Sequence, residues 1–281
     1  MSKVIGIVGG GRMGAGIAQV FAAIGYDVVV SESSEETASA ARDRIREGLQ
    51  RAIEHGSINV GPEEVTRRIR LVTGVAQLPD DAALVVEAVP EVMDLKLEVL
   101  PQIESVVSPE CIIASNTSSL SVSRLASVLQ RPERFAGMHF FNPVSPSLLV
   151  EVVVGEQTSP DAIDQITNWV DELGKTAVVV KDSPGFATSR LGVLLGLEAI
   201  RMLEEGVASA EDIDRAVELG YRHPMGPLRS SDLVGLDVRL AIAEYLSDEL
   251  GERFTPPELL REKVRSGELG RKTGQGFFHW E

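Results

Sequence analysis

The chain has 281 residues, 43% of them hydrophobic and 25% charged, with a formal net charge of −15; this excludes nucleic acid and anionic membrane surfaces as general partners. One cysteine, Cys111, excludes an internal disulfide, and with four histidines it offers no zinc-type ligand spacing, so no metal site is expected. No apolar run approaches the ~18 residues of a membrane span and no secretory segment opens the chain, so the expected address is the cytoplasm; the length suggests two domains.

The first apolar run, from Lys3 to Val8, meets Gly9, Gly11 and Gly14, then a helical pattern, then a second apolar run ending at Glu32. Gly9 permits the tight turn out of a strand, Gly11 leaves bare backbone for a pyrophosphate, and Gly14 lets the helix lie close on the strand. Phosphates at that position face the unpaired N–H groups and the positive dipole end of the helix. Glu32 stands near the ~20-residue offset at which an acid accepts bonds from the adenosine ribose hydroxyls. It would repel a 2′-phosphate, and Ser33 and Ser34 supply no cation; the expected cofactor is NAD.

Polar helical patterns follow at 35–55 and 62–68, with the arginines at 67, 68 and 70 read as a solvated helix face. Strands are predicted at 84–87, 112–115, 135–140, 149–154 and 177–180, with helices at 92–107 and 161–173, which makes a doubly wound α/β sheet. The Pro-Gly pair in DSPGF, 182–186, ends that alternation. Helical patterns alone follow, at 187–205, 210–219, 236–250 and 257–266. The expected organisation is an N-terminal Rossmann-type domain, 1–183, and an all-helical C-terminal domain, 184–281.

Chemistry in such a sheet gathers beyond the carboxyl ends of the strands. SNTSSLS, 115–121, follows a predicted strand with more hydroxyls than a helix cap requires. GMHFFNPVSPSLLVEVVVG, 137–155, ends one strand on His139, turns at Asn142 and Pro143, and carries Glu151 inside the next apolar run. A glutamate among valines and leucines needs a partner. The histidine is the natural one, since a carboxylate on one ring nitrogen fixes the tautomer and supports the imidazolium formed when the other nitrogen takes a proton.

VGGGRMGAGIAQ, VVEAVPE, ASNTSSL, GMHFFNPV, LVEVV, DSPGF, GVASAEDIDRAVELGYRHPMGP and GRKTGQGFF run in order through the whole chain. Together they resemble the L-3-hydroxyacyl-CoA dehydrogenase family, its bacterial 3-hydroxybutyryl-CoA members in particular. The resemblance implies reversible NAD-dependent oxidation of an L-3-hydroxyacyl-CoA and a homodimer formed through the helical domain. By matching position it makes His139 the general base and Glu151 its support. Ser118 and Asn142 would bond the reacting oxygen or the thioester, and Glu91 and Lys96 the nicotinamide ribose side. After PGF this chain reads ATSR, with Ser189 where the family commonly has asparagine; serine is shorter and has one donor fewer, so a bridging water would be needed for a substrate contact there. CoA is anionic, and the spacing of Arg42, Arg46 and Arg51 on the long polar helix suggests a cationic patch for it. Two other readings stand beside this one: a sugar-acid dehydrogenase resembling L-gulonate 3-dehydrogenase, and a catalytically idle NAD-binding structural relative.

Overall fold

A computed structural model of the chain describes residues 4–280, so the strand start predicted at Lys3 lies outside the described residues. The chain divides into two compact units between Ser183 and Pro184.

The first unit holds eight strands: β1 (Val4–Val8), β2 (Asp27–Glu32), β3 (Ile69–Thr73), β4 (Leu84–Glu87), β5 (Ile112–Ser115), β6 (Phe135–Phe140), β7 (Leu149–Val154) and β8 (Thr176–Lys181). They form one sheet in the order β3-β2-β1-β4-β5-β6-β7-β8. Every neighbouring pair is parallel except β6 and β7. Around it run α1 (Arg12–Ala23), α2 (Glu35–Glu54), α3 (Pro62–Arg67), α4 (Met93–Val106), α5 (Val122–Ala126) and α6 (Pro160–Glu172). The inner strands are apolar throughout because helices cover both faces of a parallel sheet; Ile5, Ile7, Val28, Val30, Leu84 and Val86 pack with Ile17, Phe21, Ile45 and Leu49 from the helices. α2 buries Ala41, Ile45, Leu49 and Ala52 at helical spacing and begins in a capping box, the Ser34 hydroxyl accepting from the Thr37 N–H at 3.2 Å.

The arginines at 67, 68 and 70 do not share a helix face. α3 ends at Arg67, and Arg70 projects outward from β3, which pairs only with β2 at the edge of the sheet. At five residues, and following directly on the charged end of α3, β3 is too short for its Ile69, Leu71 and Val72 to stand out as a strand.

The antiparallel step from β6 to β7 is made by the loop 141–148. Lys175, 7% exposed, fastens it: Nζ donates to the carbonyls of Val144 at 2.8 Å, Ser145 at 3.3 Å and Ser147 at 2.5 Å. Gly16 on α1 makes room for Val144, whose Cγ2 would lie 2.8 Å from an added Cβ. The Ser145 hydroxyl donates to that of Ser57 at 2.7 Å.

The second unit contains α7 (Thr188–Glu204), α8 (Ala210–Gly220), α9 (Pro227–Val234), α10 (Leu236–Leu250) and α11 (Glu258–Ser266), with no strand longer than an isolated bridge among the described residues. Val193, Leu197, Ile200, Leu236, Leu246 and Phe254 form its core. α9 was not among the predicted helices. Its first residue follows Gly226, which has no side chain to cap it, and Asp214 of α8 supplies the cap from a distance by accepting the Leu228 and Arg229 N–H groups at 2.8 and 2.9 Å. Asp232 closes the C-terminal segment, accepting the Phe277 and Phe278 N–H groups and the Trp280 indole N–H, each at 2.9 Å. No helix of the described residues is long and apolar enough to cross a membrane.

Candidate active site

β1, β4, β5 and β6 are parallel, so their carboxyl ends share one edge. The sheet order turns at β1, with β2 on one side and β4 on the other, which makes that edge a topological switch point. Gly9, Glu87, Ser115 and His139 stand at or just beyond the strand ends there, with three strand spacings, ~14 Å, from β1 to β6.

At the first of these ends Gly9 has φ +95° and an added Cβ would meet the Ala88 carbonyl at 2.7 Å. On Gly14 a Cβ would lie 1.8 Å from the Gly9 carbonyl oxygen, while on Gly11 it would meet nothing within 4 Å. Gly9 and Gly14 are therefore required by the protein's own packing, and Gly11 faces open space. Gly11 is also the N-cap of α1 and brings no side chain to the first N–H groups, which are left facing outward. Glu32, at the end of β2, accepts the Gly10 N–H at 2.6 Å. A carboxylate has about four lone-pair sites, so it retains capacity for ribose hydroxyls. This cradle fits a dinucleotide.

Glu91, Lys96 and Ser118 come together with a residue the sequence reading passed over, Glu87. The Glu91 Oε1 accepts from the Thr117 hydroxyl at 2.7 Å, the Ser118 N–H at 2.8 Å and hydroxyl at 3.1 Å, and the Ser119 N–H at 3.1 Å. The hydroxyl-rich loop is thus wrapped on one carboxylate. Burial pushes the Glu91 carboxyl up, but the Lys96 ammonium and the Thr117 and Ser118 donors outweigh it and hold it below the usual carboxylate range. Lys96 is 1% exposed; Nζ lies 2.7 Å from the Glu87 Oε1 and 3.4 Å from the Glu91 Oε2. Glu87 in turn accepts the Ser115 hydroxyl at 2.6 Å and the Val89 N–H at 2.7 Å. The signal in the sequence was an acid closing the apolar run LVVE, the same clue that singled out Glu151.

His139 and Glu151 are directly opposite in the β6–β7 register, and the His139 Nδ1 lies 2.8 Å from the Glu151 Oε2. Glu151 is fully buried and His139 is 7% exposed, its ring 4.5 Å from that of Phe141. Beside the pair, Asn116 accepts the Phe140 N–H at 2.9 Å and ties β6 to the segment after β5.

Asn142 lines a pocket of about 520 Å³ between α1, α2 and the loop 141–148. Arg12, Arg44, Arg51 and His55 also line it, a local basic site on an acidic protein. The three arginines proposed from spacing do not share this face. At about 3.6 residues per turn, Arg44, Gly48, Arg51 and His55 fall on one flank of α2 and Arg42 and Arg46 on the other; Arg46 lines a separate recess with Pro62 and Arg67. Arg44 joins Arg51 in their place, and its guanidinium also donates to the Gly10 carbonyl at 3.3 Å. Ser189 is half-buried in the first turn of α7, in the second unit.

The model of the 3-hydroxyacyl-CoA dehydrogenase NAD binding domain matches residues 4–183, and that of the 3-hydroxyacyl-CoA dehydrogenase C-terminal domain matches 185–280. The chain is 43% identical over 276 residues to a protein of Deinococcus radiodurans named a probable 3-hydroxybutyryl-CoA dehydrogenase, covering 98% of this chain and 99% of the relative. It is 42% identical over 281 residues to the 3-hydroxybutyryl-CoA dehydrogenase of Mycobacterium tuberculosis, covering 98% and 97%. The crystal structure of the (S)-3-hydroxybutyryl-CoA dehydrogenase from Ralstonia eutropha superposes with a TM-score of 0.93 at 40% identity, over 100% of both chains.

The two glycines separate stability from binding. Gly14→Ala must displace the Gly9 turn and is expected to lower stability by about 1–3 kcal/mol in urea denaturation. Gly11→Ala is expected to leave the urea midpoint in place and weaken NAD binding, measured by titration. Equal NAD affinity in wild type and Gly11→Ala would remove Gly11 from the cofactor cradle.

Proposed function

The chain belongs to the 3-hydroxyacyl-CoA dehydrogenase family, and from that membership we propose that it carries out the reversible oxidation of an L-3-hydroxyacyl-CoA, with 3-hydroxybutyryl-CoA the expected member, to the 3-oxoacyl-CoA. The observation that carries this reading is the buried His139–Glu151 pair at 2.8 Å on the edge that also bears the glycine cradle. NAD, when bound, accepts the hydride from C3. Gly9, Gly11 and Gly14 shape the turn that receives its pyrophosphate, Glu32 takes the adenosine ribose, and Glu91, with Lys96 behind it, lies toward the nicotinamide side. His139 takes the 3-hydroxyl proton on Nε2, since Nδ1 faces Glu151. Glu151 keeps the ring in the tautomer whose Nε2 accepts, then stabilises the imidazolium. Asn142 offers donors to the substrate oxygens, and the Ser118 hydroxyl, which rests on Glu91 at 3.1 Å, turns from it to join them.

A sugar-acid substrate carries a single carboxylate and would leave most of the basic pocket unused. Arg12, Arg44 and Arg51 around about 520 Å³ suit the nucleotide phosphates of CoA, and this favours the acyl-CoA reading. An idle structural relative has no need of a histidine held on a buried carboxylate.

A homodimer is proposed through the second unit. Leu191, Leu194 and Leu195 are 67%, 38% and 38% exposed along one flank of α7, and Glu198 sits on the same flank. Two-fold pairing of one such face with itself would cover the leucines.

The direct assay is NADH oxidation with acetoacetyl-CoA, compared with a free keto acid. Turnover with the free acid alone would overturn the acyl-CoA reading. His139→Gln is expected to lower turnover by ~10²–10⁴ while NADH still binds, and Glu151→Gln to lower turnover and move the pH profile. Near-normal rates in the histidine variant would refute its role. Replacing Arg44 and Arg51 with alanine is expected to raise KM for acetoacetyl-CoA more than for the acetoacetyl pantetheine ester; an equal rise for both would place the nucleotide elsewhere. Light scattering tests the assembly: a dimer mass that falls to that of the 30.3 kDa chain in a Leu191→Asp, Leu195→Asp variant, against a wild-type monomer as the contrary result.

A further inference from the structure

We propose that Glu87 and Glu91, sharing the single ammonium of Lys96, leave one unit of negative charge beside the nicotinamide half of the cofactor and so favour its oxidised form over its reduced form. The proposal rests on the dehydrogenase reading and adds to it a determinant of cofactor redox preference, with Glu87 as a positioning and charge-bearing residue that touches no substrate.

Placement follows from topology. The adenosine side is marked by Glu32 at the end of β2, and the pyrophosphate by the turn between β1 and α1. The remaining half of a dinucleotide must continue away from β2, over the ends of β4 and β5. Glu87 ends β4, Ser115 ends β5, and Glu91 follows β4 with the Ser118 loop folded onto it.

The charges at that place do not cancel. Glu87 is wholly buried and Lys96 nearly so, with Nζ 2.7 and 3.0 Å from the two Glu87 oxygens and 3.4 Å from the Glu91 Oε2. Among the described residues neither glutamate has an ion pair with any other cation. The further donors to both acids, from Ser115, Val89, Thr117, Ser118 and Ser119, are neutral. Holding the loop requires one acid at Glu91, and anchoring it requires one ammonium; Glu87 makes the set net negative. A buried charge is poorly screened by solvent. The nicotinamide ring is cationic when oxidised and neutral when reduced, so a nearby surplus anion acts on one form and spares the other.

The test measures Kd for NAD⁺ and for NADH by fluorescence and calorimetric titration. In Glu87→Gln the ratio Kd(NAD⁺)/Kd(NADH) is expected to rise about tenfold over wild type, the size of effect one unit charge has at such a range in a protein interior. Ser115→Ala breaks the same network without changing its charge, and the ratio is expected to hold. Should Glu87→Gln not fold, Glu91→Gln removes the same unit of charge from the half-exposed end of the cluster and is expected to shift the ratio in the same direction. An unchanged ratio in the glutamine variant, with both constants moved together, would show a structural role only and overturn the proposal; so would an equal shift in Ser115→Ala. If the unaltered protein bound neither form of the cofactor, the dehydrogenase reading would fail first, and this inference with it.

Discussion

A carboxylate with no exposed surface stands in the middle of β7, and the antiparallel register of β6 and β7 is what makes it tolerable by setting His139 against Glu151. A slip of one residue would turn every side chain of the strand to the other face and leave both groups buried without each other. The register is held by packing as well as by the ladder. Gly137 pairs with Val153, and an added Cβ there would come within 2.7 Å of the Val153 Cβ and 3.0 Å of a Val122 methyl from α5. The same local sterics that permit the antiparallel step thus fix which acid meets which base.

Buried charge is handled in different ways along this edge. Lys175 spends its ammonium on three backbone carbonyls and shapes the loop between β6 and β7. Lys96 spends its own on two carboxylates and shapes the loop that carries Ser118. Each satisfies polar groups that would otherwise be costly to bury, and each fixes a segment with little regular structure of its own. The groups proposed to meet substrate are consequently held by supports on neighbouring elements, an arrangement that lowers the reorganisation needed when charge moves.

The overall charge of −15 and the basic pocket are compatible because they act over different ranges. Between exposed groups the net field is screened over about 10 Å at ordinary ionic strength, while Arg12, Arg44 and Arg51 converge on one pocket. An acidic chain can therefore receive a polyanion at one place and repel it elsewhere.

The glycine turn, the acid at the end of β2, the histidine and its glutamate, and the change from alternating elements to helices after Ser183 were all legible in the sequence. Each depends on contacts close along the chain or on a residue type out of keeping with its surroundings. β3 and α9 were not, because a five-residue strand directly after a charged helix end is too short to stand out and a helix capped by the distant Asp214 lacks a local start signal. Grouping Arg42 and Arg46 with Arg51 ran against helical spacing, which already sets Arg51 on the opposite flank of α2; which flank faces a pocket is decided by the elements packed on it, Gly16 of α1 and the loop pinned by Lys175. The sequence by itself determined the strand ends and the chemical groups placed on them. Only the tertiary structure decided which buried charges share a partner, because Glu87, Lys96 and Ser115 meet across separate strands and a helix, and the strength of a buried ion pair depends on distances that no spacing along the chain encodes.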